Sequence, residues 1–593
     1  MELYLEKKIN NQLQQKPFYL TDKQLDWVNE TYGKMTLDEK VEQIMCPSAG
    51  NFNDQMIEQF TKVHKFGGFM IRPLPLKGLQ DFHRKIQASS EIPMLISANL
   101  ENGGSGAIEE GTNFGMPMGC TATGELENGY RLGKVSCQEA SSVGVNWGFA
   151  PIVDIDLNYR NSITNIRAFS SDPNMVIEMA RGYIKAASET EITPTIKHFP
   201  GDGTDERDQH LLVSVNQLNS EEWWDTYGKV YQTLIGEGAS SIMAGHIAQP
   251  AIIRALDSTV SPEEAYLPAS LSKKLLTDVL RKKMNYNGMI VTDSTLMNGF
   301  MVKMPRSKAI PTAIEAGCDM ILFNRNIEED IRYLKNGIAE GTLSENRLAE
   351  AVKRVLALKA SKRLVEKKES GTLVPTVDSD KIISNAITKE WVNECADKSV
   401  TLVKNKQSVL PLSVSKTKRI YLNVIEGKVN EPSPFSLNIK HRLEKEGFQV
   451  TLRKRKMDIN PAEIFSDNPS PEFLAVMGEI MGDTDSFVSQ YDLAMILLNL
   501  EAVSNVTTIR VNWEMLYGLG NDIPWYAGEL PLVVVSTANP YHLLDIPMAH
   551  AYINAYTGSP VILDAVFEKM MGRSEFKGIS PVDPFCGNED CAL

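Results

Sequence analysis

The sequence predicts an α/β protein in which a (β/α)8 barrel is followed by an open, doubly wound α/β sandwich domain. From about residue 35 to 360, short apolar runs that end in a polar residue alternate with helical stretches. This alternation is typical of a parallel sheet covered on both faces. A second α/β pattern begins after residue 390, and 593 residues are too many for one hydrophobic core.

Seven apolar runs are the predicted barrel strands, and we expect an eighth strand near residues 43–46. In chain order the seven runs are residues 67–73, 93–101, 147–157, 192–199, 239–247, 288–294 and 319–326. The main helical patterns between them are residues 173–190, 220–236, 271–283 and 327–341. Seven or eight such units favour a closed barrel over an open sheet, since a (β/α)8 barrel typically takes about 250 residues.

The predicted domains are a catalytic barrel over residues 1–370, a linker over 371–390 and a C-terminal α/β sandwich over 391–593. The junction is indicated by a Gly/Thr/Pro-containing segment at residues 371–375, which follows a charged helical stretch. Beyond it, predicted strands lie at residues 398–405, 419–427, 448–454, 493–500, 530–540 and 549–556, with helices at 437–447 and up to 571. The second domain has no GxGxxG or GxxxxGK[ST] motif, so nothing there indicates nucleotide binding.

Charge and composition exclude several classes of protein. The net charge is -14, with acidic and basic residues interspersed, which argues against a nucleic-acid-binding surface. We find neither a signal peptide nor an apolar run of the roughly 18 residues that membrane insertion requires. The seven scattered cysteines are typical of reduced thiols. We therefore predict a cytoplasmic protein; its oligomeric state is left open.

Six polar residues end the predicted strands and are expected to lie close together. In a (β/α)8 barrel the carboxyl ends of all strands meet at one rim, where active sites lie. A structural role as a cap or a hydrogen-bonded core residue is the alternative for each, and for Asp154 it is favoured. The six residues are Asn99, Asp154, Lys197, His198, His246 and Asp293.

Two carboxylate-centred groups indicate glycoside hydrolysis. One is Asp293, and the other is Asp208 with His210 in the long loop that follows Lys197-His198. Glycoside hydrolysis with retention of configuration needs a nucleophile and a separate general acid/base, with the two groups about 5 Å apart in the usual two-carboxylate form. Residues this far apart in sequence can meet across a barrel rim.

Several motifs, in this order along the chain, resemble glycoside hydrolase family 3. They are MTLDEKVEQIM (35–45), FAPIVDIDLN (149–158), IRAFSSDP (166–173), KHFPGDGTDERDQH (197–210), IMAGHI (242–247), MIVTDSTLM (289–297) and VTLVKNKQSVLPL (400–412). The KHFPG loop with its D-x-H pair is similar to the β-N-acetylglucosaminidase subgroup, some of whose members act on bacterial cell-wall fragments. NPYHLLDIP (539–547), HAYINAYTG (550–558) and KGISPV (577–582) resemble the C-terminal domain of two-domain members.

The resemblance implies a retaining β-N-acetylglucosaminidase that needs no metal or organic cofactor and takes small carbohydrate substrates. Asp293 matches the nucleophile, His210 the acid/base and Asp208 its orienting partner. A carboxylate on one ring nitrogen fixes the tautomer of an imidazole and stabilises its charged form.

The resemblance also implies the residues that bind the sugar. Lys197, His198 and Arg167 match residues that hold sugar hydroxyls, with a buried ion pair as the alternative for Arg167. His246 is expected to line the rim, and Glu101 belongs to a second sugar-binding segment that begins at Asn99.

Three positions depart from the family pattern. Asp202 replaces the usual histidine after KHFPG, where it either raises the basicity of His210 or faces solvent, and Gln209 stands inside the D-x-H pair. Asn99 replaces the aspartate that grips a distal hydroxyl, and an amide makes weaker hydrogen bonds than a carboxylate. We also interpret residues 201–204 as a hinge that lets His210 move over the substrate.

Three alternatives stay open at this point. Phosphate could replace water in the second step, because an imidazole base does not repel an anion as a carboxylate would. A β-glucosidase or β-xylosidase of the same family is a second alternative, although such members typically lack the D-x-H loop. The third is a catalytically inactive sugar-binding protein, against which the presence of Asp293, Asp208 and His210 argues.

Overall fold

The computed structural model describes residues 2–50, 53–427, 432–453, 461–502, 504–513, 515–516, 519–520 and 523–593. It divides the chain into two compact units. The first consists of Met1–Thr121, Glu125–Val392 and Val503–Thr508. The second consists of Ala122–Gly124, Asn393–Ala502 and Ile509–Leu593.

The first unit is built on eight parallel strands, as predicted. They are β1 (Met45–Cys46), β2 (Gly68–Met70), β3 (Leu95–Ala98), β4 (Trp147–Gly148), β5 (Thr193–Phe199), β6 (Ser241–Ala244), β7 (Met289–Ser294) and β8 (Met320–Leu322). From β2 to β8 each strand pairs with the next one in the chain, and β1 pairs with β8. A parallel bridge between Ser48 and Met70 joins the ends of β1 and β2, so the sheet closes into a (β/α)8 barrel.

The barrel strands form where the sequence is continuously apolar, because both faces of each strand are covered. All residues of β1 to β6 and of β8 are buried, and only the last two residues of β7 are partly exposed. Those two residues are Asp293 and Ser294, at the carboxyl end of the strand. These two partly exposed polar residues therefore lie at the rim of the barrel, where the sequence predicted a site.

Helices follow the strands, and the structure assigns them these bounds. The α-helices up to residue 399 are Glu2–Leu13, Asp22–Lys34, Leu37–Gln43, Asp54–Glu58, Leu79–Ser89, Pro117–Ala122, Glu127–Ser142, Pro173–Glu189, Ser220–Trp223, Lys229–Gly236, Pro250–Leu256, Pro262–Ala265, Asn298–Met301, Arg306–Ala316, Ile327–Ala339, Glu345–Ser361, Leu364–Glu369, Ser379–Ile382 and Ala386–Ser399. Wider π-helical turns occupy Gln59–Val63, Trp224–Gly228 and Lys274–Lys283.

Local sequence explains where many of these helices begin. Thr21, Thr36 and Asn219 each form a capping box with the residue three positions later, so that the first backbone N–H groups are satisfied. Proline occupies the first turn of the helices that begin at Pro173 and Pro250, where its missing N–H costs nothing.

The second unit contains a six-stranded sheet. Its strands are β9 (Thr401–Asn405), β10 (Arg419–Glu426), β11 (Gln449–Leu452), β12 (Leu493–Asn499), β13 (Leu532–Ser536) and β14 (Ala551–Asn554), in the order β9-β14-β13-β12-β10-β11. All neighbours are parallel except β9 and β14. The α-helices of this part are Pro434–Lys445, Pro471–Met481, Thr484–Val488 and Pro560–Met570.

Both faces of this second sheet are covered. Along β10, Ile420, Leu422 and Val424 belong to one apolar cluster, whereas Tyr421 and Ile425 belong to another. Because successive side chains of a strand point to opposite faces, the two clusters lie on opposite sides of the sheet. The second unit is therefore the α/β sandwich that the sequence predicted.

The unit boundaries differ in detail from the predicted domain ranges. The first unit extends to Val392, so the residues predicted as a linker, 371–390, lie within it and include a short helix, Ser379–Ile382. The first unit also takes in Val503–Thr508 from far along the chain. No feature of composition marks that segment as part of the barrel. Among the residues that the structure describes, no helix is long and apolar enough to span a membrane.

Candidate active site

The first component of the candidate active site is a histidine–aspartate pair, with the histidine on β5 and the aspartate on the segment that follows β4. His198 lies in β5, and its Nδ1 lies 2.6 Å from Oδ2 of Asp154, which follows β4. The other carboxylate oxygen, Oδ1, accepts the backbone N–H groups of His198 and Asp202 at 3.0 and 2.8 Å. With burial alone the pKa of Asp154 would rise, but His198 and these N–H groups hold it below its usual value. Asp154 thereby fixes the ring of His198 so that Nε2 points away from it.

Asp293, the predicted nucleophile, lies beside His198. Its Oδ2 is 3.8 Å from Nε2 of His198, and its Oδ1 accepts the backbone N–H of Ser294 at 2.6 Å. Burial by itself would raise the pKa of Asp293, but His198 and the Ser294 N–H lower it below the usual value for a carboxyl. Asp293 is therefore held as a carboxylate, the form that a nucleophile needs.

A second charged group combines Lys197 with Arg167 around Glu101. Lys197 donates from Nζ to Oε1 of Glu101 at 2.6 Å. Arg167 donates to both carboxylate oxygens, at 3.0 and 2.9 Å. Two cations keep the pKa of Glu101 well below its usual range against the opposing effect of burial. The predicted alternative of an ion pair at Arg167 is thus present, and this pair lies within the predicted sugar-binding set.

The second histidine–aspartate pair lies on the loop after β5. Nδ1 of His210 is 2.7 Å from Oδ1 of Asp208, and the same oxygen accepts the backbone N–H of His210 at 2.8 Å. The other oxygen, Oδ2, accepts the backbone N–H of Asn505 at 2.7 Å. Burial raises the pKa of Asp208, but these hydrogen bonds outweigh it and lower the pKa overall.

The first part of the loop that carries His210 is held by hydrogen bonds and buried in the protein. Gly201 donates its N–H to the carbonyl oxygen of His198, and Leu157 donates its N–H to the carbonyl oxygen of Gly203. Asp202 is 2% exposed, so the expectation that it faces solvent is wrong. The predicted hinge at residues 201–204 is a packed turn in this structure.

His246 lies at the rim after β6, as predicted, but its ring is turned into the protein. It is fully buried, Nδ1 is 2.8 Å from Oγ of Ser270, and Nε2 is 2.9 Å from the carbonyl oxygen of Ser294. Because the carbonyl only accepts, Nε2 carries the proton and Nδ1 accepts from Ser270. Both ring nitrogens are thus occupied within the protein. We correct the assignment of His246 from a sugar contact to a support for the backbone after Asp293.

Asn99 follows β3 directly, and its side chain is exposed at the rim. Within the described part of the chain, no residue hydrogen-bonds its side-chain amide, in contrast to Glu101 two residues later. An exposed amide can donate or accept a hydrogen bond with a ligand, so the geometry leaves the predicted role of Asn99 available.

Sequence reasoning missed two contributions to the site. It gave Asp154 a structural role, whereas this carboxylate orients His198 beside Asp293. It gave no role to Asn505, whose backbone N–H completes the hydrogen bonding of Asp208. For Asp154 the signal was its place among the six polar residues expected at the barrel rim. No sequence signal could have found Asn505, because a backbone N–H group is present whatever the residue type.

Comparisons with known proteins agree with this architecture. Residues 36–358 match the family model described as the glycosyl hydrolase family 3 N-terminal domain. The chain is 37% identical, over 97% of its length and 99% of the relative, to a protein of Cellulomonas fimi described as β-N-acetylglucosaminidase/β-glucosidase.

Two solved structures extend the agreement to the whole chain. One is the β-glucoside phosphorylase BglX, with 40% identity, a TM-score of 0.87 and coverage of 98% of this chain and 99% of that one. The other is a glycoside hydrolase family 3 β-N-acetylglucosaminidase from Paenibacillus sp. str. FPU-7. It has 21% identity, a TM-score of 0.74 and coverage of 93% and 99%, so this likeness concerns the fold. The chain belongs to glycoside hydrolase family 3, and it is a glycosidase.

Proposed function

We propose that this enzyme is a retaining β-glycosidase in which Asp293 is the nucleophile and His210, oriented by Asp208, is the general acid/base. The observation that supports it is the placement of two histidine–aspartate pairs in the barrel unit, one of them beside Asp293. A fixed imidazole and a lone carboxylate are the two groups that double displacement at an anomeric carbon requires.

In the proposed first step, a carboxylate oxygen of Asp293 attacks the anomeric carbon while the bond to the leaving oxygen breaks. His210 gives its proton to that oxygen. In the second step His210, now neutral, takes a proton from water, whose oxygen attacks the anomeric carbon and releases Asp293. Asp208 stabilises the imidazolium form, since one of its oxygens is 2.7 Å from Nδ1 of His210.

We propose a terminal β-linked N-acetylglucosamine or glucose as the sugar that is removed, from oligosaccharides or cell-wall fragments. The dual description of the Cellulomonas fimi relative supports both sugars. The groups assigned to the sugar hydroxyls are Lys197, His198, Arg167, Glu101 and Asn99. We keep the predicted cytoplasmic location as part of the proposal, since none of the seven cysteines forms a disulfide in the described part of the chain.

The test is a 5-fluoro glycosyl fluoride of each sugar, which accumulates the covalent intermediate, followed by peptide mass spectrometry. We expect the adduct on Asp293 and none in Asp293→Asn. The matched control is Asp156→Asn, a second buried aspartate that follows the β4 strand. An adduct on a residue other than Asp293 would refute the assignment.

A second candidate function is transfer of the sugar to phosphate. The observation that favours it is the 40% identity over nearly the whole chain to a β-glucoside phosphorylase. Its chemistry differs only in the second step, where a phosphate oxygen attacks the anomeric carbon instead of water. Phosphorus NMR during turnover in phosphate buffer decides between the two. A glycosyl phosphate that forms faster than free sugar supports transfer, and a rate of sugar release that is independent of phosphate supports hydrolysis.

A further inference from the structure

Asp202 is a buried carboxylate to which the proposed chemistry gives no role. It lies between Gly201 and Gly203, both of which have positive φ values, +115° and +110°. Neither glycine has room for a side chain, since a Cβ at Gly203 would lie 1.9 Å from the carbonyl oxygen of Ile155. The turn that these glycines permit directs Asp202 into the protein, where it is 2% exposed.

Four donors converge on the carboxylate of Asp202. Oδ1 accepts from the side-chain amide of Asn161 at 3.1 Å, from the N–H of Gly203 at 2.8 Å and from Oγ of Ser214 at 3.4 Å. Oδ2 accepts from Nε2 of Gln209 at 3.3 Å. A carboxylate with this many donors holds each of them in place, because leaving a buried donor unpaired is costly.

Two of these donors lie on either side of His210 in the chain. Gln209 precedes it directly, and Ser214 follows four residues later. The amide of Gln209 is fixed at its other end as well, because its Oε1 accepts the backbone N–H of His246 at 2.8 Å. The segment that carries His210 is therefore attached to Asp202 at both ends.

Asp202 is also connected to the other histidine–aspartate pair. Its backbone N–H donates to the same oxygen of Asp154 that accepts the N–H of His198. The charged and titratable groups that face Asp202 are Asp154, His198 and Tyr227, whose hydroxyl donates to the carbonyl oxygen of Asp202. Burial and the charge of Asp154 raise the pKa of Asp202 to about 7.

We propose that Asp202 is a positioning residue for the acid/base, which sets the location of His210 by fixing Gln209 and Ser214 on either side of it. The proposal rests on the proposed function of His210. It goes beyond that function because it assigns the position of the proton donor to a third carboxylate. A shift of about 1 Å in a reacting group can lower a rate by about 100-fold.

The test compares kcat/KM, which reports the first chemical step, on two substrates that differ only in their leaving group. Asp202→Ala should lower kcat/KM by about 10- to 100-fold for an alkyl or sugar leaving group, which needs a proton. The loss in kcat/KM should be much smaller for a dinitrophenyl leaving group, which does not need one. Asp202→Asn should recover part of the loss, because it retains an acceptor oxygen for Asn161 and Gly203.

Gln209→Met supplies an independent route to the same result and is also the second variant if Asp202→Ala does not fold. If Asp202 acts through Gln209, Asp202→Asn combined with Gln209→Met should cost little more than Gln209→Met alone. Glu206→Gln is the matched control, since it removes an exposed carboxyl from the same loop and should leave both rates unchanged.

His210→Ala, measured alongside, separates failure of the proposal from failure of the proposed function. If His210→Ala depends on the leaving group and Asp202→Ala does not, the positioning role is wrong. Full additivity with Gln209→Met also overturns it. If His210→Ala itself shows no dependence on the leaving group, the acid/base assignment is wrong and the positioning role falls with it.

Discussion

The two histidine–aspartate pairs of the barrel unit have nearly the same internal geometry and different surroundings. The distances between Nδ1 and the carboxylate oxygen are 2.6 Å for His198 and 2.7 Å for His210. In each pair the carboxylate also accepts the backbone N–H of its own histidine. However, the side chain of His198 is 7% exposed and that of His210 is 27% exposed.

The difference lies in what carries each pair. His198 is part of a barrel strand, and its free nitrogen faces Asp293, so its surroundings suit a fixed contact to the nucleophile or the sugar. His210 is on a loop with a ring partly open to solvent, as a group that exchanges protons with a leaving oxygen and with water must be. The comparison teaches that two histidine–aspartate pairs can share their internal geometry in different surroundings. The proposed division of roles therefore rests on exposure and on the supporting element.

The largest expected effect comes from removing each imidazole. His210→Ala should lower kcat/KM by about 100- to 10,000-fold for substrates with poor leaving groups, and far less for dinitrophenyl glycosides. His198→Ala should lower turnover of both substrates by a similar factor, since its imidazole transfers no proton in the proposed mechanism. Steady-state kinetics on a series of aryl glycosides measure the contrast. Equal dependence on the leaving group in both variants would contradict the division of roles.

Removing the carboxylate of each pair should lower the free energy of unfolding by different amounts. Asp154→Ala leaves three buried donors of His198 and Asp202 without an acceptor, so we expect a loss of about 3–5 kcal/mol in the free energy of unfolding. Asp208→Ala leaves the same number of donors, but on a partly exposed loop where water can replace the carboxylate. We expect about 1–2 kcal/mol there. Urea unfolding of the two variants tests this order, and a larger loss for Asp208→Ala would reverse our view of the two sites.

Acidification should affect stability through Asp154. Its pKa is lower in the folded protein than in the unfolded chain, so the unfolded chain binds the proton more readily. The stability that Asp154 contributes is present above its ordinary pKa, near 4, and is lost as the pH falls through the folded value. Asp154→Asn should therefore show a shallower fall in unfolding free energy between pH 5 and pH 3, measured by urea unfolding at each pH. An unchanged slope would mean that Asp154 is not ionised in the folded protein.

Asp202 should give a pH dependence of opposite sign. Its pKa is raised to about 7, so the folded protein binds the proton more readily than the unfolded chain does. Its contribution is complete below pH 4 and is lost as the pH rises through about 7. In Asp202→Asn, the free energy of unfolding should fall less steeply between pH 5 and pH 8 than in the parent enzyme. Urea unfolding at each pH measures this. Parallel curves for the variant and the parent enzyme would count against this titration.

The smallest expected effect concerns the third donor of Asp208. Asn505 has a φ of +66°, which glycine adopts easily and a β-branched residue does not. Asn505→Gly should leave kcat unchanged, whereas Asn505→Val should move the backbone N–H and lower kcat by about 2- to 10-fold. The same substrates and assay serve as for His210→Ala. A similar loss in both variants would point to the Asn505 side chain and away from its N–H group.

The barrel could be predicted from the sequence because its strands are buried on both faces. A strand such as β7 is a continuous apolar run that ends in Asp293, and the change from apolar to polar marks the rim. The pairing of Asp208 with His210 could also be predicted, since both residues lie on one short loop. The sandwich was found for the same reason as the barrel, from apolar runs such as residues 493–500.

The remaining features depend on three-dimensional placement that residue type does not encode. His246 lies at the end of an apolar run, as His198 does, yet its ring points into the protein. Both of its ring nitrogens are hydrogen-bonded there, one to Ser270 and the other to Ser294. Burial of Asp202 follows from two positive φ angles, which a Gly-Asp-Gly sequence permits but does not require. The contact of Asn505 joins residues 297 positions apart.

That last contact has a consequence for recombination. During synthesis, the barrel strands and the loop with His210 leave the ribosome long before Asn505 does, so Asp208 receives its last hydrogen bond only when most of the chain exists. A chimaera that joins this barrel to the second half of a relative would also import a foreign segment against Asp208. Crossovers placed after residue 508 preserve the native contact, while those placed near residue 390 replace a hydrogen-bond donor of the proposed acid/base pair.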